Sequence, residues 1–142
     1  MSAINPYLSF NNNCEEVFNF YKSVFGGEFL TVMRFKEMAP HHPVDKAEEN
    51  KILHMALPIG HGTVLMGSDT PSSMGQVSVG NNVSIAIQPD SKEEADKLFN
   101  GLAAGGNVTM PLSNAFWGAY FGMLIDKYGI NWMVNYDPNR QS

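Results

Sequence analysis

Histidine and cysteine are the side chains of this chain best suited to acid–base or nucleophilic chemistry, and the sequence has four histidines and one cysteine. His54 is the one histidine inside a predicted strand, and an imidazole can act as a general base near neutral pH. No acidic residue is next to His54 in the sequence to orient the ring. His54 is therefore the one catalytic candidate, with a structural histidine as the favoured interpretation.

A second group of polar side chains lies in residues 38–50, a stretch with two prolines and no apolar period that predicts a long loop. His41 and His42, with Asp45 and Glu48, have the imidazole and carboxylate groups that bind metals. Adjacent histidines converge on one ion only with an unusual backbone. We therefore expect a solvated loop or a lid here rather than a metal site.

Cys14 follows three asparagines at the start of a predicted helix, where the pKa of a thiol can be lowered. No histidine is near it in the sequence, so a structural cysteine is the favoured interpretation. A single cysteine forms no internal disulfide, and the fold therefore needs no oxidising compartment. Cytoplasm is the expected location.

The first half of the chain predicts a strand, an amphipathic helix and three more strands. Apolar residues recur at helical spacing from Val17 to Phe25, Glu15 and Glu16 suit the first turn, and Asn13 suits the N-cap. The predicted elements are a strand at 4–10, a helix at 14–25, and strands at 28–36, 52–59 and 63–67.

The same order follows a connector rich in Ser, Gly, Pro and Asn at residues 70–82. Ser91 is a predicted N-cap, and Gly105 with Gly106 ends the second helix. The predicted strands are 83–88, 108–112, 117–125 and 130–136. Two passes through strand, helix and three strands indicate a duplicated α+β unit.

Two stretches near the ends of the chain resemble the signatures of PhnB-like proteins: NPYLSFNNNCEEVFNFYKSVFGGE and FWGAYFGMLIDKYGINWMVNY. This is a branch of the vicinal-oxygen-chelate superfamily (glyoxalase, bleomycin resistance, dioxygenase), sometimes labelled 3-demethylubiquinone-9 3-methyltransferase. The resemblance implies an α+β fold in which two βαβββ modules form one curved mixed sheet around a cavity. The modules would be residues 1–69 and 82–138 of a single domain spanning 1–142, and a homodimer is implied.

The resemblance also bears on metal binding, because relatives often hold a divalent ion through His, Gln or Glu. The four ligand positions carry over to Tyr7, Met66, Ser84 and Met133. Thioethers and un-ionised hydroxyls do not replace the imidazole and carboxylate ligands of catalytic Zn, Ni or Mn sites. We therefore expect neither a metal nor another cofactor.

Alternation along each strand assigns side chains to two faces of the sheet. The proposed inner face holds Tyr7, Ser9, His54, Ala56, Met66, Ser68, Ser84, Ala86, Asn131, Met133 and Asn135. The proposed helix-facing set is Leu8, Phe10, Leu53, Met55, Leu57, Val83, Ile85, Ile87, Trp132 and Val134. The mixed inner face suits a small apolar or aromatic ligand.

Three residues outside these strand assignments have two interpretations each. Phe116 and Trp117 belong to an aromatic cluster within a family signature, so they are predicted ligand contacts, with core packing as the alternative. Asp126 precedes a turn and is interpreted as its local hydrogen-bond acceptor rather than as a catalytic group.

The function expected from these features is binding of a small molecule without a metal. The alternatives are a glyoxalase-like lyase, isomerase or dioxygenase with a divalent metal, and a purely structural dimer module. Methyltransferase activity is not expected, because the first strand is followed by Asn11–Asn13 rather than by a glycine-rich cofactor loop. The net charge of -5 argues against nucleic acid, and neither a membrane span nor a signal peptide is expected.

Overall fold

The computed structural model describes residues 2–38, 41 and 43–139. The chain divides into two compact units, Met1–Ser78 and Val79–Ser142. Each unit contains a strand, a helix and three further strands, which confirms the predicted α+β order. None of the described helices has the length and apolar character that crossing a membrane would need.

The first unit is a four-stranded mixed sheet with one helix. Its elements are β1 (Tyr7–Phe10), α1 (Cys14–Phe25), β2 (Thr31–Arg34), β3 (Ile52–Gly60) and β4 (Thr63–Asp69). The strand order is β1-β4-β3-β2, with β1 parallel to β4 and the other pairs antiparallel. Short 3₁₀ turns at Phe35–Met38, Lys46–Glu48 and Ser72–Met74 lie in the connections.

The second unit has the corresponding order β5-β8-β7-β6. Its elements are β5 (Ile85–Ile87), α2 (Lys92–Ala103), β6 (Asn107–Asn114), β7 (Tyr120–Ile125) and β8 (Asn131–Tyr136). β5 is parallel to β8, and the other pairs are antiparallel. The described strands therefore form two four-stranded mixed sheets, one in each unit, which agrees with the predicted α+β fold of two βαβββ modules.

Each helix packs on its sheet through large apolar side chains that meet a glycine. Val17, Phe18 and Tyr21 of α1 are fully buried. A Cβ on Gly67 of β4 would lie 2.7 Å from the Phe18 ring and 2.9 Å from a backbone oxygen of β1. Gly67 is thus needed because the ring packs directly against the strand backbone.

The N-terminus of α1 is capped by a residue far away in the chain. Asp69, only 4% exposed at the end of β4, accepts hydrogen bonds from the Cys14 and Ile52 backbone N–H groups, both at 2.9 Å. The predicted cap, Asn13, makes no side-chain capping bond. The cap predicted for α2 is confirmed, since Ser91 Oγ accepts a hydrogen bond from the Glu94 N–H at 3.1 Å.

Two of the predicted helix-facing residues are placed differently. The β2–β3 pairing passes from Met33↔His54 to Arg34↔Ile52 and skips Leu53, which is a β-bulge. The bulge shifts the alternation, so Ile52 is 1% exposed whereas Leu53 is half-buried and lines a pocket. Val83 precedes β5 and is 72% exposed. Both helix-facing assignments were therefore wrong.

Candidate functional site

A pocket of about 540 Å³ lies in the first unit, beside the adjoining parts of β3 and β4. Most of its wall comes from the segment between β2 and β3 and from the residues that follow β4. The lining residues are Phe35, Met38, Pro43, Val44, Asp45, Ala47, Glu48, Leu53, Ser68, Asp69, Pro71, Ser72 and Ser73. The wall is thus a mixture of apolar side chains, hydroxyls and carboxylates.

The segment that walls the pocket, described at residues 35–38 and 43–51, is closed at its base by backbone hydrogen bonds. The Phe35 N–H donates to the Lys51 carbonyl at 3.0 Å, and the Lys36 N–H donates to the Glu49 carbonyl at 2.9 Å. Phe35 itself is buried, so its ring is fixed as one wall of the pocket. We call residues 35–38 and 43–51 the wall segment.

Glu48 ties the wall segment to the chain after β4. Its Oε2 lies 2.8 Å from Lys51 Nζ, and its Oε1 accepts a hydrogen bond from the Ser72 N–H at 2.7 Å. Lys51 Nζ also donates to Ser72 Oγ at 3.2 Å. The hydrogen bond from Lys51, followed by that from Ser72, holds the pKa of Glu48 below its ordinary value. Glu48 is therefore ionised and engaged at neutral pH.

An ion pair fixes the start of the wall segment to α1. The Arg34 guanidinium donates to both Glu15 carboxylate oxygens, at 2.7 and 3.1 Å, and to the Asn50 carbonyl at 3.0 Å. The hydrogen bond lowers the pKa of Glu15 and raises that of Arg34. The two parallel hydrogen bonds fix the orientation of both side chains, in addition to the attraction between their charges.

Tyr7 and His54 meet on the face of the first sheet opposite α1. The Tyr7 hydroxyl lies 3.3 Å from His54 Nδ1, and the rings stack with centroids 5.7 Å apart. The sequence offered no acidic partner for His54, and the structure supplies a phenol instead. A hydroxyl and an imidazole in contact form a pair that could donate and accept a proton.

The other predicted ligand residues of the first unit lie on neighbouring strands. Met66 is the register partner of Tyr7, and Ser9 is the partner of Ser68. Of these residues, Ser68 alone lines the pocket, while Ser9 is exposed. The structure thus brings Tyr7 close to His54 and places Ser68 at the pocket.

The predicted ligand residues of the second unit are dispersed. Met133 pairs with Ala86 in the β5–β8 ladder, and Ser84 precedes β5. Asn135 has a buried side-chain oxygen with no hydrogen-bond partner among the described residues. Phe116 and Trp117 lie in the β6–β7 turn, 98% and 55% exposed, with ring centroids 5.0 Å apart. These two rings do not pack in the core, and β7 begins at Tyr120 rather than at Trp117.

The interpretations of Cys14 and Asp126 as structural residues are confirmed. Cys14 is fully buried, and desolvation, with the nearby Asp69 and Glu15 charges, raises the pKa of its thiol strongly. Asp126 accepts hydrogen bonds from the Tyr128 and Ile130 N–H groups and from the Trp132 indole at 2.8 Å. Neither residue is therefore placed for catalysis.

The residues present do not fit the divalent metal of the superfamily. Tyr7 and Met66 sit side by side at two of the implied ligand positions, and Ser84 and Met133 occupy the others. This donor set lacks imidazole and carboxylate. Within residues 2–38, 41 and 43–139, no three His, Cys, Asp or Glu side chains cluster as a metal site would need. The His41–His42 proposal falls partly outside those residues, since His42 is not among them.

Comparison with known proteins identifies the family. The family model described as 3-demethylubiquinone-9 3-methyltransferase matches residues 2–135. The chain belongs to this family. Protein YjdN from Escherichia coli K12, which is similar to this chain, is 30% identical over 141 residues and covers 93% of both chains.

Solved structures of similar proteins share the fold of this chain. PA1353 from Pseudomonas aeruginosa is 39% identical, with a TM-score of 0.82, and the match covers 96% of this chain and 98% of that one. A protein from Bacillus cereus, described as a putative 3-demethylubiquinone-9 3-methyltransferase and PhnB protein, is 28% identical, with coverages of 95% and 99% and a TM-score of 0.72.

A more distant structure shares the fold. A glyoxalase/bleomycin resistance protein/dioxygenase family enzyme from Burkholderia phytofirmans has a TM-score of 0.58 at 18% identity, covering 92% of this chain and 95% of that one. The predicted resemblance to PhnB-like proteins is therefore confirmed, and so is the predicted α+β fold of the glyoxalase and bleomycin-resistance type.

Sequence reasoning missed most of the pocket wall. Phe35, Met38, Val44 and Leu53 all line it, and none was a predicted ligand residue. A signal was present in the sequence, because a solvated loop at 38–50 has no need of the apolar side chains of Met38 and Val44. Their convergence depends on how the wall segment folds back on β3 and β4.

Proposed function

We propose that the protein binds a small apolar or aromatic molecule in the pocket of its first unit, without a metal. The observation that carries this proposal is the composition of the pocket. Seven of its thirteen lining residues are apolar, namely Phe35, Met38, Pro43, Val44, Ala47, Leu53 and Pro71. Ligand sites of ordinary size, roughly 300–1,000 Å³, combine such walls with a few polar anchors.

Ser68 supplies one polar anchor. Its side chain is partly exposed at the pocket wall, and its hydroxyl has no hydrogen bond to the described part of the chain. A hydroxyl in that position can donate to or accept from a ligand. Phe35, held by the base of the wall segment, offers a ring edge or face to an aromatic ligand.

The Tyr7–His54 pair favours a second candidate function, a glyoxalase-like enzyme such as a lyase, isomerase or dioxygenase. In that case the imidazole would accept or donate a proton of the substrate, while the phenol of Tyr7 would hold the imidazole in its orientation. The family's methyltransferase description is not carried over. The double glycine at Gly26–Gly27 follows α1, and not a strand of a parallel sheet as in usual cofactor folds.

The proposal includes a cytoplasmic homodimer that does not bind nucleic acid. Support for self-association comes from β6, an edge strand of the second sheet with exposed Val108 and Met110. Such an edge is a common place for contact between chains. Analytical ultracentrifugation would measure the oligomeric state, and a monomer at all concentrations would contradict the homodimer.

The binding proposal is tested with 1-naphthylmethanol, an uncharged aromatic probe. We expect saturable binding by isothermal titration and a rise in the melting temperature of the protein, because a ligand that binds only the folded state stabilises it. Ser68→Phe fills the pocket and should abolish both effects. Ser9→Phe is the matched control, since Ser9 pairs with Ser68 in the sheet but does not line the pocket.

Loss of binding in Ser68→Phe alone supports the pocket, whereas equal binding by both variants contradicts it. The enzyme candidate is tested separately, by assaying glyoxalase-type lyase and isomerase substrates with the purified protein after incubation with Ni, Mn, Zn or Fe(II). Turnover that disappears in His54→Gln would favour the enzyme. Absence of turnover with every metal would leave binding as the function.

A further inference from the structure

The charged side chains among the described lining residues of the pocket are all acidic. Asp45, Glu48 and Asp69 line it, and the described lining residues include no lysine, arginine or histidine. Seven apolar residues beside three carboxylates form a wall that attracts cations and repels anions.

Two of the three carboxylates are already engaged. Asp69 accepts the Cys14 and Ile52 N–H groups and is buried. Glu48 is paired with Lys51, whose ammonium also donates to Ser72. Lys51 is therefore not available to receive an anionic ligand.

Asp45 is the carboxylate that remains available. Its side chain is exposed at the pocket wall, and it makes no hydrogen bond or ion pair with the described residues. Its backbone carbonyl accepts from the Glu48 N–H at 2.9 Å, which begins the short 3₁₀ turn Lys46–Glu48. The position of Asp45 is thus set by a turn that Glu48 anchors, while its charge is not neutralised.

We propose that the pocket binds an apolar or aromatic amine, with the ring against Phe35, Met38 and Leu53 and the ammonium group beside Asp45. This inference rests on the proposed binding function and names its ligand class. An ammonium group next to a carboxylate at the edge of an apolar pocket keeps part of its hydration shell. It also gains electrostatic attraction to the carboxylate. A carboxylate, phosphate or phosphonate ligand would meet the like charges of Asp45 and Asp69, with no cationic side chain among the described lining residues to receive it.

The test compares three probes that share one ring: 1-naphthylmethylamine, 1-naphthylmethanol and 1-naphthoic acid, titrated calorimetrically at neutral pH and low salt. We expect the amine to bind about tenfold more tightly than the alcohol, a difference of about 1.4 kcal/mol, and the acid to bind more weakly than both. Added salt should reduce the advantage of the amine, because the attraction is between partly exposed charges.

Asp45→Asn should bring the amine to within about threefold of the alcohol while leaving alcohol binding unchanged. Glu93→Gln is the charge-matched control, because Glu93 is an exposed carboxylate on α2 outside the pocket lining. If the alcohol binds and the amine has no advantage, or Asp45→Asn does not reduce it, the amine inference is wrong and the binding function stands. If none of the three probes binds, the binding function fails as well.

Discussion

The Tyr7 hydroxyl lies 3.3 Å from His54 Nδ1 across β4, the strand that separates β1 from β3. The two rings also stack at 5.7 Å, with planes 21° apart. Contact between residues 47 positions apart fixes the imidazole orientation through tertiary structure. The phenol thereby takes the place of the carboxylate that often orients a functional histidine.

Tyr7→Phe should change the tautomer of His54. A hydroxyl that donates to Nδ1 requires the proton of the neutral ring to be on Nε2. We expect the Nε2–H form to dominate in the unaltered protein and the Nδ1–H fraction to rise in the variant. Two-bond ¹H–¹⁵N spectra of the imidazoles, recorded where the ring is neutral, measure this ratio. His61 is the internal reference, and an unchanged His54 ratio would contradict the hydrogen bond.

Asp69→Ala should destabilise the first unit more than loss of an ordinary helix cap. The substitution leaves two backbone N–H groups, at the start of α1 and of β3, without their charged acceptor. We expect the free energy of unfolding to fall by about 3 kcal/mol in denaturant titrations. Ser91→Ala, which removes the local cap of α2, should cost about 1 kcal/mol. Equal losses in the two variants would show that Asp69 is no more than a cap.

The contrast between these two caps explains how far the sequence predicts the fold. The helix predicted at 14–25 is α1, Cys14–Phe25, because apolar spacing and the following glycines are local information. Ser91 was also identified, since a local cap lies next to its helix. Asp69 was not, because it caps α1 from 55 positions along the chain. The bulge at Leu53 likewise depends on the pairing of β3 with β2.

The site was predicted less completely than the fold for the same physical reason. The alternation of side chains predicted that Tyr7, His54 and Ser68 lie on one face of the sheet. The stacking of Tyr7 on His54 and the register of β1 with β4 agree with that prediction. Phe35 and Met38 reach the pocket only because the wall segment is closed by hydrogen bonds between its ends. Hydrogen bonds that close a segment in this way leave no periodic pattern in the sequence from which they could be predicted.

The Glu15–Arg34 ion pair should make stability depend on pH in the acid range. The pKa of Glu15 in the folded protein is held below its ordinary value of 4.5 by the Arg34 hydrogen bond. A depressed carboxyl pKa adds stability above the unfolded-state value. That stability is lost as the pH falls from about 4.5 through the lower folded value. Acidification therefore weakens the attachment of the wall segment to α1.

A double-mutant cycle with Glu15→Gln and Arg34→Gln measures this attachment by denaturant unfolding. The pair is partly exposed, so we expect a coupling free energy of about 0.2–1 kcal/mol at neutral pH. The coupling should approach zero once Glu15 is protonated, and it should also decrease with added salt. The matched cycle at Lys22 and Glu28, a single-contact pair at 3.2 Å with Glu28 88% exposed, should give a smaller value. A Glu15–Arg34 coupling that persists below the folded pKa would mean that packing, rather than charge, joins the two residues.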